Sequence, residues 1–135
     1  MGNFQPGGTA YDTVMVHPNG IEVIVVAHGQ AYLIDPERRQ LLSVFGGGIY
    51  CVLPIPSAEI LVIDNFGLWL EALGKAGFLW RTRRVSWDGI NDLREVEGKV
   101  CGESWDVVND CGVPFSVDIL TGEAQGRAYP FRESL

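Results

Sequence analysis

The chain has 135 residues, of which 47% are apolar and 20% are charged. This composition excludes a disordered protein, and the length fits one domain with a sizeable core. The formal net charge of −7 repels a phosphate backbone, so we expect no nucleic-acid partner.

Cellular location is inferred from the apolar runs and the cysteines. The first eight residues have no basic start and no apolar stretch, so we expect no secretory signal. The longest apolar runs, residues 23–27 and 60–63, are far shorter than the roughly 20 residues that cross a bilayer. Cys51, Cys101 and Cys111 lack Cys-x-x-Cys spacing and fit a reducing compartment. The sequence therefore predicts a cytoplasmic protein that does not associate with membranes.

Strand signals follow one another almost without interruption from Thr13 onward. We expect residues 1–12 to be a flexible N-terminal arm and residues 13–135 to be a single β domain. Gly, Pro, Asn and Asp separate the apolar segments, as in the hairpin signal Asn19-Gly20. The predicted strands are residues 13–17, 21–27, 31–35, 40–45, 49–53, 58–64, 68–73, 78–87, 90–96, 99–106 and 113–119, with a short end strand near 124–129.

The regular spacing of these segments predicts the fold class. Ten or eleven strands, spaced by roughly ten residues, are typical of an all-β antiparallel meander with little or no helix. The alternatives within this class are a sandwich, an open barrel and a propeller-like fragment. Residues 68–73 have high helix propensity, so strand and helix both stay open there.

Four short segments of the chain end in an aspartate, namely Asp35, Asp64, Asp88 and Asp118. Each aspartate follows an apolar run and precedes turn residues, so the pattern indicates a repeated hairpin. An Asp carboxylate at this position accepts hydrogen bonds from turn amides two residues further on. We therefore interpret the four aspartates as turn caps.

The hairpin at residues 115–123, Phe-Ser-Val-Asp-Ile-Leu-Thr-Gly-Glu, resembles the hairpins of quinoprotein-type β-propeller blades. In those blades an apolar strand ends in Asp, and a Thr-Gly turn leads to the next strand. A propeller needs at least four blades of four strands. The predicted strands make fewer than three such blades, which favours an open meander or a sandwich, and self-association would cover its edges.

The C-terminal half also resembles small uncharacterised bacterial proteins that share a succession of short motifs. Here these are Ser-Trp-Asp-Gly at 86–89, Gly-Glu-Ser-Trp-Asp at 102–106, Pro114-Phe115, Val117-Asp118 and Thr121-Gly122. The resemblance implies no known activity. Such proteins often lie in mobile gene cassettes or beside toxin genes.

The segment Trp80-Arg81-Thr82-Arg83-Arg84-Val85-Ser86-Trp87 combines indole rings with guanidinium groups in an acidic protein. Guanidinium is a planar fork that binds carboxylates and phosphates, and an indole stacks on flat rings. Trp105 repeats the Ser-Trp-Asp context of Trp87. The segment is therefore either a ligand or partner surface or a solvated strand face with core tryptophans. As a surface, it would bind through Trp80, Arg81, Arg83, Trp87 and Trp105.

Signatures of catalysis and of metal binding are missing from the sequence. It has no Gly-x-Ser-x-Gly, His-Glu-x-x-His or Walker motif. His17 and His28 flank the strand at 21–27 and would sit at its opposite ends, too far apart to share a metal. Gly46-Gly47-Gly48 precedes a strand rather than a helix, so it is a loop and not a phosphate cradle. We expect no cofactor, no metal and no enzymatic activity.

The sequence as a whole leaves two functional hypotheses. The first is a protein-interaction module, of an inhibitor or immunity type, because an acidic protein without catalytic motifs suits a basic partner. Self-association belongs to the same hypothesis. The alternative is a small-molecule binding protein for an anionic or aromatic ligand.

Overall fold

A computed structural model describes residues 9–87 and 89–126. Among them there are twelve β-strands, one short 3-10 helix and no α-helix. The strands are β1 Thr13–Val16, β2 Val23–Ala27, β3 Gln30–Asp35, β4 Gln40–Gly46, β5 Ile49–Ile55, β6 Ile60–Asn65, β7 Trp69–Gly74, β8 Gly77–Arg81, β9 Ile90–Val96, β10 Lys99–Asp106, β11 Cys111–Asp118 and β12 Ala124–Gln125, with the 3-10 helix at Pro56–Ala58. The predicted all-β antiparallel class is confirmed.

The twelve strands form three sheets of four consecutive strands each, and every pair of neighbours is antiparallel. The first sheet holds β1–β4, the second β5–β8 and the third β9–β12. The described residues hold one or two strands more than the ten or eleven expected, so they form three four-stranded units rather than fewer than three. Residues 68–73 lie mainly in β7, where pairing on both sides outweighs their helix propensity.

The second sheet packs between the other two sheets. Successive side chains of a strand point to opposite faces, and β6 is buried on both. Ile60 and Val62 join a core cluster with the third sheet, whereas Leu61 and Ile63 join a cluster with the first sheet. The stack thus has two interior layers, and the outer faces of the first and third sheets form its two ends.

Neighbouring sheets place corresponding strands close together. Val52 in β5 donates its N–H to the Tyr11 hydroxyl, just before β1, at 3.3 Å. β5 also contacts β9, the first strand of the third sheet. At the other side, the Phe45 ring of β4 meets the Phe78 ring of β8 edge-on at 5.5 Å. The first strands therefore lie along one side of the stack and the last strands of the first two sheets along the other.

Three of the four aspartates accept hydrogen bonds from turn N–H groups, as expected. Asp35 accepts the N–H groups of Glu37 and Arg38 at 3.0 and 3.1 Å. Asp118 accepts those of Leu120 and Thr121 at 2.8 and 3.2 Å. Asp64 accepts the N–H of Gly67 at 3.0 Å. Asp88 lies outside the described residues.

The end of the predicted N-terminal arm is bonded to the first two sheets. Thr9 donates its N–H to the His28 carbonyl at 3.0 Å and its hydroxyl to the Ile49 carbonyl at 2.6 Å. Tyr11 accepts the Gly29 N–H through its carbonyl at 2.9 Å. Residues 1–8 lie outside the described residues.

Candidate functional site

The outer face of the first sheet is almost wholly apolar. Its strands are paired so that two rows of side chains cross the sheet on the side turned away from the second sheet. The rows are Val14–Val25–Tyr32–Val44 and Val16–Val23–Ile34–Leu41, and we call them together the open face. Val14 is 66% exposed and Val16 is 60% exposed. Leu41 and Val44 are about half exposed, and Tyr32 is buried.

The local sequence explains why this sheet has two apolar faces. In β2 the continuous run Val23–Ile24–Val25–Val26 sends Ile24 and Val26 into the layer shared with the second sheet. Val23 and Val25 then necessarily point the other way. β2 is central in the first sheet, between β1 and β3. Its outer residues remain partly exposed.

The corresponding outer face of the third sheet is polar. Two of its cross-strand rows are Val96–Lys99–Asp118 and Arg94–Cys101–Ser116–Gln125. We call this surface the polar face. Charged and hydroxyl side chains keep their hydration here, as expected for an antiparallel sheet with one solvated side. The stack therefore ends in two faces of opposite character.

The structure distributes the predicted Trp and Arg residues over separate contacts. Trp80 in β8 donates its indole N–H to the Ile119 carbonyl of the third sheet at 2.7 Å. Arg83 donates to the Ala124 carbonyl at 3.0 Å. Both residues thus connect the second sheet to the third. Arg81 instead lies over the Trp69 ring, 4.2 Å from its centre.

The remaining predicted tryptophans lie near the start of the third sheet. Trp87 is 42% exposed, and the Arg84 guanidinium lies 3.6 Å from the centre of its ring. Trp105 is half-buried in β10 and donates its backbone N–H to the Gly89 carbonyl at 3.1 Å. Thus Trp80 and Arg83 face the third sheet's last strands, whereas Arg81 and Trp87 have other neighbours.

Side chains of residues 80–87 do not alternate between two faces along the whole segment, because β8 ends at Arg81. Val85 is buried in the same core cluster that Trp80 packs against, although alternation would place the two on opposite faces. Thr82 is buried and its hydroxyl accepts the Leu70 N–H at 3.0 Å. The chain after β8 follows the edge of β7 as irregular backbone.

A cleft of about 450 Å³ lies between the second and third sheets. Its lining comprises Tyr50, Cys51, Asp64, Phe66, Gly67, Trp87, Gly89, Ile90 and Asn91. Asp64 is only 2% exposed, and this burial raises its pKa to about 7. The hydrogen bond from the Gly67 N–H lowers the pKa and offsets only part of that shift. Burial, together with the nearby Asp64 charge, also raises the pKa of the Cys51 thiol. A titratable carboxyl thus borders this cleft.

The turn after β6 shapes the cleft wall. Phe66 and Gly67 both have positive φ, 60° and 70°, and the Leu68 N–H closes the turn on the Asn65 carbonyl at 3.0 Å. A Cβ at Gly67 would lie 3.1 Å from the Cα of Gly89, so only glycine allows this approach of turn to strand. A Cβ at Gly48 would collide with the Phe66 ring. Gly48 therefore allows the Phe66 ring to pack against the backbone.

Of the cleft residues, sequence reasoning singled out only Trp87 as a binding residue. Tyr50 and Cys51 come from β5 and Phe66 from the turn after β6, and no spacing in the chain relates that strand to that turn. Asp64 was interpreted only as a cap. The signal that could have marked it is the uninterrupted run Leu61-Val62-Ile63 before it, which is typical of a strand buried on both faces.

Other titratable groups do not assemble into a site. His17 is buried, its Nδ1 accepts the Asn19 N–H at 3.0 Å, and burial lowers its pKa. Within residues 9–87 and 89–126, no three His, Cys, Asp or Glu side chains are placed to hold a metal ion. Over the same residues, no helix is long and apolar enough to cross a membrane.

Comparison with known proteins finds no family model that matches the chain and no curated protein that matches it. The open face and the cleft are therefore the features of the molecule that suggest a function.

Proposed function

We propose that this protein is a non-enzymatic protein-interaction module and that the open face is its binding surface. The observation that carries the proposal is the pair of apolar rows that crosses all four strands of the first sheet. Contiguous exposed apolar patches on a monomer mark interaction sites. Single exposed apolar residues are ordinary, but two aligned rows are not.

The exposed side chains can supply a useful part of a binding free energy. Fully burying a valine or leucine side chain is worth about 1.5–3 kcal/mol relative to leaving it exposed. Val14, Val16, Leu41 and Val44 are each about half to two-thirds exposed. Covering these four residues would contribute roughly 3–6 kcal/mol. The half-buried Val23, Val25 and Ile34 lie between them, whereas Tyr32 on the same face is buried.

Charge favours a basic partner over a second copy of this chain. The segment that forms the first sheet contains four carboxylates, Asp12, Glu22, Asp35 and Glu37, against two arginines, Arg38 and Arg39. The whole chain carries −7, so two copies repel each other, whereas a basic protein is attracted. We infer that the partner presents an apolar patch with a basic rim. An inhibitor or immunity-type role fits such a pairing.

The arrangement of the sheets supports a propeller-like interpretation of the fold. Three four-stranded meanders follow one another, and their first strands lie near one another along one side of the stack. Blades of a propeller are four-stranded sheets arranged in this manner around a central channel. We propose that the chain is a three-bladed, open segment of such an arrangement, which leaves the open face without a neighbouring blade.

The test compares two matched triple variants. Val14→Thr/Val16→Thr/Val44→Thr removes apolar surface from the open face while keeping β-branched side chains. Val96→Thr/Val107→Thr/Val108→Thr makes the same chemical change at exposed valines of the third-sheet side. Each protein is used to capture partners from the host cell, and a captured protein is purified and titrated by calorimetry. Circular dichroism and thermal melts establish that both variants fold.

The proposal predicts a basic protein that binds with one-to-one stoichiometry and more weakly as salt is raised. The open-face variant should bind at least tenfold more weakly, since each tenfold corresponds to about 1.4 kcal/mol. The third-sheet variant should bind like the unmodified protein. Equal binding by both variants would overturn the proposal. So would a concentration-dependent dimer that the open-face variant abolishes, because a second copy would then be the occupant.

A further inference from the structure

The cleft between the second and third sheets has the dimensions and the lining of a ligand site. Its volume of about 450 Å³ lies within the roughly 300–1,000 Å³ common for small-molecule pockets. Tyr50 and Cys51 come from β5, Phe66 from the turn after β6, and Asn91 from β9. Gly67 and Gly89 contribute no side chain and so leave the space open. The cleft is separate from the open face, which belongs to the first sheet.

Asp64 is the acidic side chain of this cleft. The residue is 98% buried yet borders the cleft. Its Oδ1 accepts the Gly67 N–H at 3.0 Å, and no other side chain or backbone N–H in the described part of the chain donates a hydrogen bond to its carboxylate. A buried carboxylate is costly unless it is paired and hydrogen-bonded. A ligand in the cleft that donates N–H bonds and carries positive charge would satisfy it.

Aromatic side chains complete the walls around this carboxylate. Tyr50, Phe66 and Trp87 line the cleft, and each is about half exposed. Aromatic ring faces attract ammonium and guanidinium groups, and they also pack against apolar bodies. Among the lining residues that the structure describes there is no Lys, Arg or His. The Arg84 guanidinium already lies over the Trp87 ring, so the cationic group of a ligand is expected at Asp64 and its apolar body at the rings. This differs from the anionic or aromatic ligand that the sequence suggested.

The backbone at Phe66 indicates that its ring is held in place at a cost. Positive φ at both central residues of a two-residue turn favours Asn-Gly or Gly-Gly, and a bulky residue there is strained. Phe66 nevertheless has φ 60°, and its N–H is tied to the Gly48 carbonyl at 2.6 Å. The same pair of positive φ angles occurs in the turns at His28-Gly29 and Glu97-Gly98, away from the cleft. The turn therefore fixes where the Phe66 ring lies, and the buried carboxylate is the observation that indicates the ligand.

We propose that this cleft binds a compact organic cation, a protonated primary or secondary amine with an apolar body. The ammonium group donates to the free oxygen of Asp64, and the apolar body lies against Tyr50, Phe66 and Trp87. The binding is non-covalent and requires no cofactor.

Three probes of similar shape and different charge test the proposal on the full chain. Benzylamine carries the ammonium group, benzyl alcohol is its neutral counterpart, and benzoate is an anion. Each is titrated at pH 8 by calorimetry and by two-dimensional NMR, which locates the perturbed residues. Asp64→Asn removes the charge while keeping an oxygen acceptor for the Gly67 N–H. Asp35→Asn is the matched control, because Asp35 also ends a strand and caps a turn but lies outside the cleft.

The expected result is benzylamine binding at least tenfold tighter than benzyl alcohol, with no measurable benzoate binding and with shifts centred on the cleft. Asp64→Asn should weaken benzylamine at least tenfold, and Asp35→Asn should leave it unchanged. Phe66→Asn places a favoured residue in the turn, so it should keep the protein folded while weakening benzylamine several-fold. Benzoate binding as tight as benzylamine, equal loss in both aspartate variants, or no binding by any probe would overturn the proposal.

Discussion

The open face and the cleft are opposite exceptions to the rule that apolar side chains are buried and charged side chains are hydrated. On the open face, valines and leucines remain in water, whereas in the cleft a carboxylate is withdrawn from water. Both regions flank the same well-packed second sheet, whose β6 is buried on each side. The polar face shows that the stack can end in a hydrated surface. The polar face needs no partner, whereas the two binding proposals account for the open face and the cleft.

The largest expected effect is the pH-dependent loss of stability that Asp64 causes. Its pKa of about 7 in the folded protein lies above the usual 3.8, so the folded state holds this proton to higher pH than the unfolded state. Below about pH 4 the carboxyl is protonated in both states, so it does not lower the free energy of unfolding. Between pH 4 and 7 it lowers that free energy increasingly, and above pH 7 the loss is largest. Asp64→Asn should raise the free energy of unfolding by about 4 kcal/mol at pH 8.

Urea denaturation of both proteins at pH 4, 5, 6, 7 and 8 measures this difference. The gain should vanish at the acidic end of the series. A gain that is independent of pH would show that the side-chain amide packs better for another reason, and a loss at pH 8 would show that the carboxylate is already compensated.

A second prediction compares the two sides of the first sheet by one substitution. Val26 is buried against the second sheet, and Val14 lies on the neighbouring strand with its side chain on the open face. Val26→Thr buries a hydroxyl and should cost about 2 kcal/mol. Val14→Thr should change stability by less than about 0.5 kcal/mol. Thermal and urea unfolding check both values, and a comparable loss at Val14 would mean that the open face is covered within the molecule.

The smallest effect concerns the contact between the second and third sheets. Trp80→Phe keeps an aromatic ring but removes the N–H that bonds the Ile119 carbonyl. The free energy of unfolding should fall by about 1 kcal/mol. Benzylamine binding should not change, because Trp80 lies outside the cleft. If instead affinity falls while stability holds, Trp80 belongs to a ligand surface, as one of the sequence hypotheses has it.

The hairpin pattern was predictable because turn chemistry and alternation are local. Asp35 and Asp118 cap their turns as the sequence indicated. Residues 68–73 lie mainly in a strand because β6 and β8 pair with it on both sides. The directions in which the Trp80, Arg81 and Arg83 side chains point were not predictable from local sequence. Their directions depend on where β8 ends, and that end is set by packing against the third sheet.

The sequence by itself determined the β class, the succession of antiparallel hairpins and the acidic charge, since each depends on composition or on residues a few positions apart. Only the tertiary structure decided which side of each strand is covered. In β2 the apolar run could not distinguish Val25, on the open face, from Val26, in the core. It also decided that Asp64 is a buried acid while Asp35 remains a cap near solvent. Burial depends on which sheets stack together, and that is settled by contacts between residues far apart in the chain.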